Sequence, residues 1–258
     1  HVKGDNPISR LSVCGVKANP DSIDVTIPGS TKGMAWGWIG YPCKRSMTLQ
    51  QALVNLTPHK NDIIKSQTEF AVFDGHNWQG PLEYLNPGQG YMYGNNCTTG
   101  DAITFHFPSE SSVASRSEVA NKDLASADYP NNMVVIGETL PHGKICAFVD
   151  GEQRAEAVAD ADGRVYLTVG GEGTTGSLTF VIVDSEDNAL QAAARLQYAD
   201  NRVDGSLETP VVLLPADNDN GNDYVYDLSG RCMGKYADKS SFAPGVYVMR
   251  GLKFHKKR

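Results

Sequence analysis

This chain lacks the features that mark membrane proteins and nucleic-acid binders. No uninterrupted apolar run approaches the roughly 20 residues that a membrane-spanning helix needs, so we expect no transmembrane segment. The formal net charge is −7, and the only basic run is the tail from His255 to Arg258. General nucleic-acid binders contact phosphates through clustered Lys and Arg. We therefore expect no nucleic-acid partner and interpret the tail as a solvated terminus.

Signatures of catalysis and of metal binding are also missing. The five cysteines form no CxxC pair for a structural zinc site, the six histidines show no HEXXH spacing, and no serine lies in a GxSxG elbow. We therefore expect a non-enzymatic protein. A hydrolase of unknown class is the less favoured alternative, since it would use carboxylates that meet only in the folded chain.

One glycine-rich segment has the spacing of a nucleotide-binding loop. Gly170 to Gly176 reads GGEGTTG and contains a GxGxxG match. A dinucleotide-binding fold needs a helix directly after these glycines, with its N-terminus facing the pyrophosphate. The following residues, Ser177 to Val183, have the pattern of a strand. We therefore interpret the segment as a glycine-rich hairpin loop.

Length and composition are those of a folded, two-domain protein. At 258 residues the chain is long enough for two domains with a sizeable core in each. Its 40% hydrophobic and 21% charged residues are ordinary for a folded soluble protein. It starts at His1 without a signal peptide, so we expect a processed or truncated part of a longer protein.

Apolar patterns predict β-strands in the N-terminal part. Ser22 to Ile27 alternates Ile and Val with Asp and Thr, and Leu11 to Lys17 is predicted as its partner strand. Met34 to Tyr41 mixes Trp and Ile with Gly, which suits a strand that another backbone approaches closely. Ile63-Ile64 and Phe70 to Phe73 are predicted as strands buried on both faces.

A single short helix is predicted between these strands. Thr48 and Gln51 have the spacing of a capping box, in which each side chain satisfies a free backbone N–H of the first turn. The residue before Pro58 avoids helical dihedral angles, so the helix should end there. One apolar stripe at i, i+3, i+4 and i+7 should pack on a sheet. Its members are Leu49, Ala52, Leu53 and Leu56.

The second half returns to β structure after a polar segment. From Pro108 to Pro130 serines alternate with charges and large apolar residues are nearly absent, which indicates a linker. Asp150-Gly151 and Asp162-Gly163 are predicted turns between strands. Ala189 to Gln197 is ambiguous, because alanine favours helix while the neighbouring strands favour β. The predicted strands are Met133 to Ile136, Ile145 to Val149, Val165 to Val169, Leu178 to Val183, and a final hairpin of Tyr224 to Leu228 with Gly245 to Met249.

These patterns together predict a mainly β protein. We expect two tandem antiparallel β-sandwich-like domains, the first with one short helix, plus a small C-terminal β-hairpin element. The expected boundaries are 1–108 for the first domain, 109–130 for the serine-rich linker, 131–216 for the second domain and 217–258 for the C-terminal element.

Aromatic side chains are the main candidates for a binding surface. Aromatic faces on a β scaffold stack on sugar rings, and exposed ones mark interaction surfaces. Trp38 lies between Gly37 and Ile39, and we expect it to fill the core. His76, Asn77 and Trp78 follow a predicted turn and are expected to be exposed. With Tyr91, these three residues form the predicted ligand-binding set.

One acidic segment has a spacing related to calcium loops. Asp217, Asp219 and Asp223 surround Gly221 and could supply oxygen ligands to Ca²⁺. An EF-hand has its glycine at the sixth position and a bidentate Glu six residues later, whereas this segment has glycine at the fifth position. A solvated linker is therefore favoured, and Ca²⁺ is the one cofactor that we consider.

Ordered motifs in this chain resemble modules near the C-termini of secreted and surface proteins of Bacteroidetes bacteria. In the first half these are WGWIGYP, TLQQALVNL, NDIIKSQ, FAVFDG, a tryptophan, and PGQGYMY. In the second half ICAFVDGEQRA is similar to a companion module, with Cys146 where that family has Gly and Gln153 where it has Cys. The end, YVYDLSGRCMGKY and APGVYVMRGLKFHKK, resembles the C-terminal sorting domains of exported proteins.

The resemblance implies a location and a role but no catalytic residues. It implies a secreted protein at the extracellular or outer-membrane surface, whose C-terminus is recognised by secretion machinery. The function that it implies is a non-catalytic C-terminal region that presents or anchors a larger protein. The alternative is an adhesin module that binds a host or dietary glycan, or a protein, through the aromatic residues around Trp78.

Export would also favour a disulfide between two of the cysteines. Exported proteins fold in an oxidising compartment, where thiols within reach tend to pair. Cys43 follows the GWIGYP segment and Cys97 follows the GYMY segment, so neighbouring strands could bring them to one edge. The opposing interpretation is that all the cysteines are small buried hydrophobic residues, or that the two strands end at opposite sides.

Overall fold

The computed structural model describes residues 18–109, 129–183, 189–215, 224–229, 231–235, 241–249 and 252–256. Three predictions concern residues outside these ranges. They are the strand Leu11 to Lys17, nearly all of the serine-rich linker, and the acidic segment with Asp217, Asp219 and Asp223.

The described chain is mainly β, with several antiparallel sheets and one short α-helix, as predicted. A 3₁₀ turn at Pro20–Ser22 precedes the first strand, and α1 is Leu49–Ala52. No described helix is long and apolar enough to cross a bilayer. The strands are β1 Val25–Ile27, β2 Ala35–Gly40, β3 Met47–Thr48, β4 Ile63–Lys65, β5 Phe70–Phe73, β6 Trp78–Gln79, β7 Tyr84–Leu85, β8 Gly90–Asn95, β9 Ile103–Phe105, β10 Asn131–Glu138, β11 Lys144–Val149, β12 Glu152–Val158, β13 Arg164–Gly171, β14 Thr175–Val183, β15 Ala189–Ala199, β16 Val203–Asp204, β17 Val211–Val212, β18 Tyr224–Asp227, β19 Cys232–Lys235, β20 Gly245–Met249 and β21 Leu252–Lys256.

The helix begins as predicted but ends early. The Gln51 backbone N–H donates to Thr48 Oγ1, and the Thr48 N–H donates to Gln51 Oε1, both at 3.3 Å, which completes the capping box. All four residues of the predicted apolar stripe are buried. Leu53 leaves helical geometry at φ −103° and ψ 20°, so the residues up to Leu56 form a turn instead of a second helical turn.

A five-stranded sheet, ordered β2-β8-β4-β5-β6, organises the first half. One face buries Ile39, Ile64 and Tyr93 against α1 and the two-stranded sheets β1-β9 and β3-β7. The close approach to β2 at Gly37 is made by a side chain and not by the predicted backbone, since a Cβ there would lie 2.9 Å from Cδ of Pro28 but 3.5 Å from Cα of Ile27.

The other face of this sheet packs on the second half of the chain. Ile63, Phe70 and Val72 form one apolar cluster with Val134 and Ile136 of β10. This contact explains the continuous apolar runs of β4 and β5, because successive side chains of a strand point to opposite faces and both faces are covered here. Burial on both faces, predicted for these strands, is confirmed.

The second half contains two four-stranded sheets with a core between them. One has the order β13-β10-β16, with β17 also beside β10, and the other has the order β12-β11-β14-β15. β16 and β17 run parallel to β10, and the other pairings are antiparallel. The predicted turn at Asp150-Gly151 joins β11 to β12. Both residues have positive φ, 51° and 88°, as a type I′ turn requires.

The structure of this half answers one open question from the sequence and corrects one prediction. Ala189–Ala199 is a strand, because it pairs with β14 along its length and buries Ala192 and Tyr198. The glycine-rich segment connects β13 and β14, which belong to different sheets, so the predicted hairpin loop is wrong. Gly171 lies against the Tyr198 ring, where a Cβ would come within 2.4 Å of Cζ.

The C-terminal strands form more than the predicted hairpin. β18 and β20 pair as expected, but they belong to a four-stranded sheet ordered β19-β18-β20-β21. Val225, Phe242, Tyr247 and Met249 join the core between the two sheets of the second half. The C-terminal element is therefore packed on that core.

Candidate functional site

The predicted surface around Trp78 is partly a structural turn. The Asp74 carboxylate accepts hydrogen bonds from the backbone N–H groups of His76 and Asn77, each at 2.7 Å, which fixes the turn between β5 and β6. His76 and Asn77 are exposed, as predicted. Trp78 is half-buried, with its ring 5.3 Å from that of Phe73.

Tyr91 does not join this turn on the surface. It lies on β8, which β4 and β5 separate from β6, and is 3% exposed. Its hydroxyl accepts a hydrogen bond from the backbone N–H of Asn86 at 2.8 Å. Tyr91 therefore presents no face to a ligand arriving from solvent.

The structure places the two candidate disulfide cysteines apart. β2 and β8 run antiparallel, with Ala35 opposite Asn95 and Gly40 opposite Gly90. Cys43 follows the end of β2 and Cys97 follows the end of β8, so they lie beyond opposite ends of the paired strands. At about 3.4 Å per residue these strands extend roughly 17 Å, well over the ~7 Å between Cα atoms that a disulfide bridges. Both cysteines are buried, and this disulfide does not form.

Among the residues that the structure describes, no group of three or more His, Cys, Asp or Glu side chains is placed to hold a metal ion. The predicted calcium ligands Asp217, Asp219 and Asp223 lie outside those residues.

A buried lysine joins the two halves of the chain. Lys65 is 2% exposed and donates hydrogen bonds to Oδ1 of Asn132 at 2.6 Å, to Oδ1 of Asn201 at 2.8 Å, and to the Asn132 carbonyl at 3.3 Å. Its ammonium lies 4.8 Å from the ring centroid of Trp36, a cation–π contact. Burial lowers the pKa of Lys65 to about 8, against the opposing effect of the Asp200 carboxylate.

A buried carboxylate holds the turn before β4. Asp62 accepts hydrogen bonds from the Tyr93 hydroxyl at 2.6 Å and from the backbone N–H groups of His59 and Asn96 at 2.8 and 2.7 Å. Burial raises the pKa of Asp62, and these hydrogen bonds oppose the increase. Since all three donors lie within the first half, the arrangement is a structural anchor.

Trp38 lies at a cleft between the two halves. The cleft has a volume of about 110 Å³, and Trp38, Gln67, Asn131 and Asp200 are among its lining residues. Lys65 forms part of its wall. Trp38 is 70% exposed, so the expectation that it fills the core is wrong.

The reason for this exposure is the position of Trp38 in the sheet. Ile39 and Tyr41 point into the first core, so alternation directs Trp38 to the opposite face, which the second half covers. Trp36 lies under that cover, and its Nε1 donates to the Asn201 carbonyl at 3.1 Å. The alternation of side chains along β2 could have predicted which face of the sheet carries Trp38. Only the fold shows how far the second half of the chain extends over that face.

The cleft offers groups that can recognise a ligand. An exposed indole, a carboxylate and side-chain amides can stack on a ligand and exchange hydrogen bonds with it. Comparisons of the chain with protein-family models, with curated proteins and with solved structures find no match.

Proposed function

We propose that this chain is a non-catalytic module from the C-terminal region of an exported bacterial surface protein, where it presents or anchors a larger protein. The motifs that resemble Bacteroidetes surface modules support the location. The packed interface between the two halves supports the mechanical role, and it is the observation that carries the proposal.

The interface is of the kind that restricts relative motion. Tandem domains move relative to each other by default unless their contact is large and hydrophobic. Here β4 and β5 bury their outer faces against β10, and Lys65 donates across the same contact to Asn132. A surface ion pair between Lys60 and Glu208 lies at its margin, 2.5 Å between Nζ and Oε1.

The layers place the two ends of the described chain on opposite sides of this interface. β1 belongs to the first core, and the C-terminal sheet contributes to the core of the second half. A rigid contact between those cores holds a group attached at one end at a constant distance from the other end. This is the property that a presenting module requires.

Distance measurements between spin labels test the rigidity. Labels attached through unnatural amino acids at Val54 and Val158 report across the interface, since both positions are 63% exposed and lie in different halves. We expect a single distance distribution that is no wider than the distribution for a reference pair at Ile23 and Val54, both within the first half. A broad or multiple distribution would mean that the halves move independently and would contradict the mechanical role.

The role of the C-terminus is tested by transfer. Residues 217–258 are fused to a secreted reporter in a Bacteroidetes host, and surface display is measured by protease accessibility on intact cells. We expect display of this fusion and none of a control fusion that carries residues 131–172. Transfer is preferred to deletion, because deletion would remove Val225, Phe242, Tyr247 and Met249 from the core. Failure of the fusion to reach the surface would contradict the sorting role.

A further inference from the structure

Trp38 is the most exposed large apolar side chain in the part of the chain that the structure describes. Its side chain is 70% exposed, whereas Trp36 and Trp78 are half-buried. The other exposed large apolar side chains of the described residues are Ile23, Val54, Val158, Val212 and Leu228. None of these lies on a strand that pairs with β2. The apolar neighbours of Trp38 at the cleft are the half-buried Met92 on β8 and the exposed Pro130.

Backbone pairing positions the indole beside polar groups. Trp38 pairs with Met92 on β8, and Met92 pairs with Lys65 on β4, so the three residues form one row across the sheet. Asn132 and Asn201 of the second half cover Lys65 at the end of this row. Trp38 lies beyond that cover, and the cleft separates it from the second half.

The polar groups of the cleft have both donor and acceptor character. The Asp200 carboxylate accepts from the Asn132 N–H at 3.3 Å and from Nδ2 of Asn201 at 3.0 Å, and a carboxylate has further lone pairs available. Gln67 adds a side-chain amide, which donates and accepts. Asn131 also lines the cleft, but its Nδ2 donates to the backbone carbonyls of Glu172 and Gly173 at 3.4 Å. Hydroxyl groups also donate and accept, so a ligand rich in hydroxyls matches this set.

The charge of the cleft favours a neutral ligand. Lys65 and Asp200 contribute one charge of each sign. The three donor positions of the Lys65 ammonium are used by Asn132 and Asn201, so it is not available as an anion site.

The size of the cleft favours recognition of one unit of a chain. Pockets that enclose a free small molecule usually have about 300–1,000 Å³, and this cleft has about 110 Å³. A stable protein interface covers about 800 Å² on each partner, far more than one indole and the small cleft beside it provide. A sugar ring fits better, because its apolar C–H face stacks on an indole while its hydroxyls point sideways.

We propose that Trp38 and the adjoining cleft bind one neutral sugar residue of a glycan, with the ring on Trp38 and its hydroxyls at Asp200 and Gln67. This site differs in position from the turn around Trp78. It does not depend on the presenting role, so the two proposals can fail separately.

Binding is tested with the full chain on an array of neutral β-glucans, xylans and mannans, together with sialylated and uronic-acid glycans. Oligosaccharides from the positive class are then titrated by calorimetry. We expect neutral glycans to bind. Trp38→Ala should raise the dissociation constant at least tenfold. Trp38→Tyr should recover part of the lost affinity. Gln67→Ala should weaken binding several-fold, since it removes one amide.

Val54→Ala is the matched control, because Val54 is 63% exposed, lies in the first half of the chain and does not line the cleft. It should bind as the wild type does, and the melting temperatures of all variants should agree. Undiminished binding by Trp38→Ala would overturn the proposal. So would binding of acidic glycans alone, the absence of glycan binding, or Trp38-dependent binding of a protein in place of any glycan.

Discussion

Replacing Tyr93 by Phe isolates one hydrogen bond to a buried carboxylate. Tyr93 is fully buried, and its hydroxyl donates to Asp62 at 2.6 Å. Phe retains the ring and its packing against Trp78, whose ring centroid is 6.1 Å away. A hydrogen bond to a charged group contributes about 1.5–3 kcal/mol, so we expect Tyr93→Phe to lower the free energy of unfolding by about 2 kcal/mol at pH 7.

Tyr91→Phe is the matched control. Tyr91 is also buried on β8, but its hydroxyl pairs with a neutral backbone N–H of Asn86. A neutral hydrogen bond contributes about 0.5–1.5 kcal/mol, so the loss should be about 1 kcal/mol. Urea denaturation with unchanged m-values measures both variants, because a constant m-value means that only the stability has changed.

The pH dependence separates the two variants further. The hydrogen bond from Tyr93 lowers the pKa of Asp62, so its removal raises that pKa further. The folded variant then binds the Asp62 proton more tightly than the folded wild type. The stability difference for Tyr93→Phe should therefore shrink as the pH falls and Asp62 is protonated, while the difference for Tyr91→Phe should not change. A loss below about 0.5 kcal/mol at pH 7, or a loss for Tyr93→Phe that is independent of pH, would refute the reasoning.

Three further predictions concern the interface, one glycine and the cysteines. Because the pKa of Lys65 is about 8 in the folded protein against 10.5 ordinarily, the unfolded chain binds more protons between these values. The free energy of unfolding of the wild type should therefore rise between pH 8 and 10.5 relative to Lys65→Met, by about 3 kcal/mol, as measured by urea denaturation. Gly171→Ala should destabilise by about 1–3 kcal/mol in the same assay, because its Cβ would overlap the Tyr198 ring. Peptide mapping without reduction should find no peptide that links Cys43 to Cys97.

Each of these has an outcome that contradicts it. A stability difference between the wild type and Lys65→Met that stays constant from pH 8 to 10.5 would show that the lysine keeps its ordinary pKa. Gly171→Ala should be compared with Gly173→Ala, whose Cβ would meet nothing closer than 3.7 Å, and equal losses would exclude a clash with Tyr198. Recovery of the linked peptide from folded protein would mean that the ends of β2 and β8 are not where the antiparallel register puts them.

Local features of this fold could be predicted from the sequence because they depend on residues a few positions apart. The capping box needs only Thr48 and Gln51, and the turn at Asp150-Gly151 needs only two residues that tolerate positive φ. The apolar runs of β4 and β5 likewise indicated burial on both faces. They did not indicate that the second face is covered by β10.

The candidate site was decided by tertiary structure. The exposure of Trp38 depends on the position of β2 at the edge of the sheet formed by the described strands, and on where the second half stops covering that sheet. The burial of Tyr91 and the separation of Cys43 from Cys97 depend on the antiparallel pairing of β2 with β8. These strands are far apart along the chain, and no pattern within either one specifies its partner or direction. The sequence by itself therefore determined most element types and the two-sided burial of β4 and β5, since alternation and turn chemistry are local properties, whereas Ala189–Ala199 became a strand through its pairing with β14. Only tertiary structure decided which aromatic side chain reaches solvent, because that depends on contacts between distant segments.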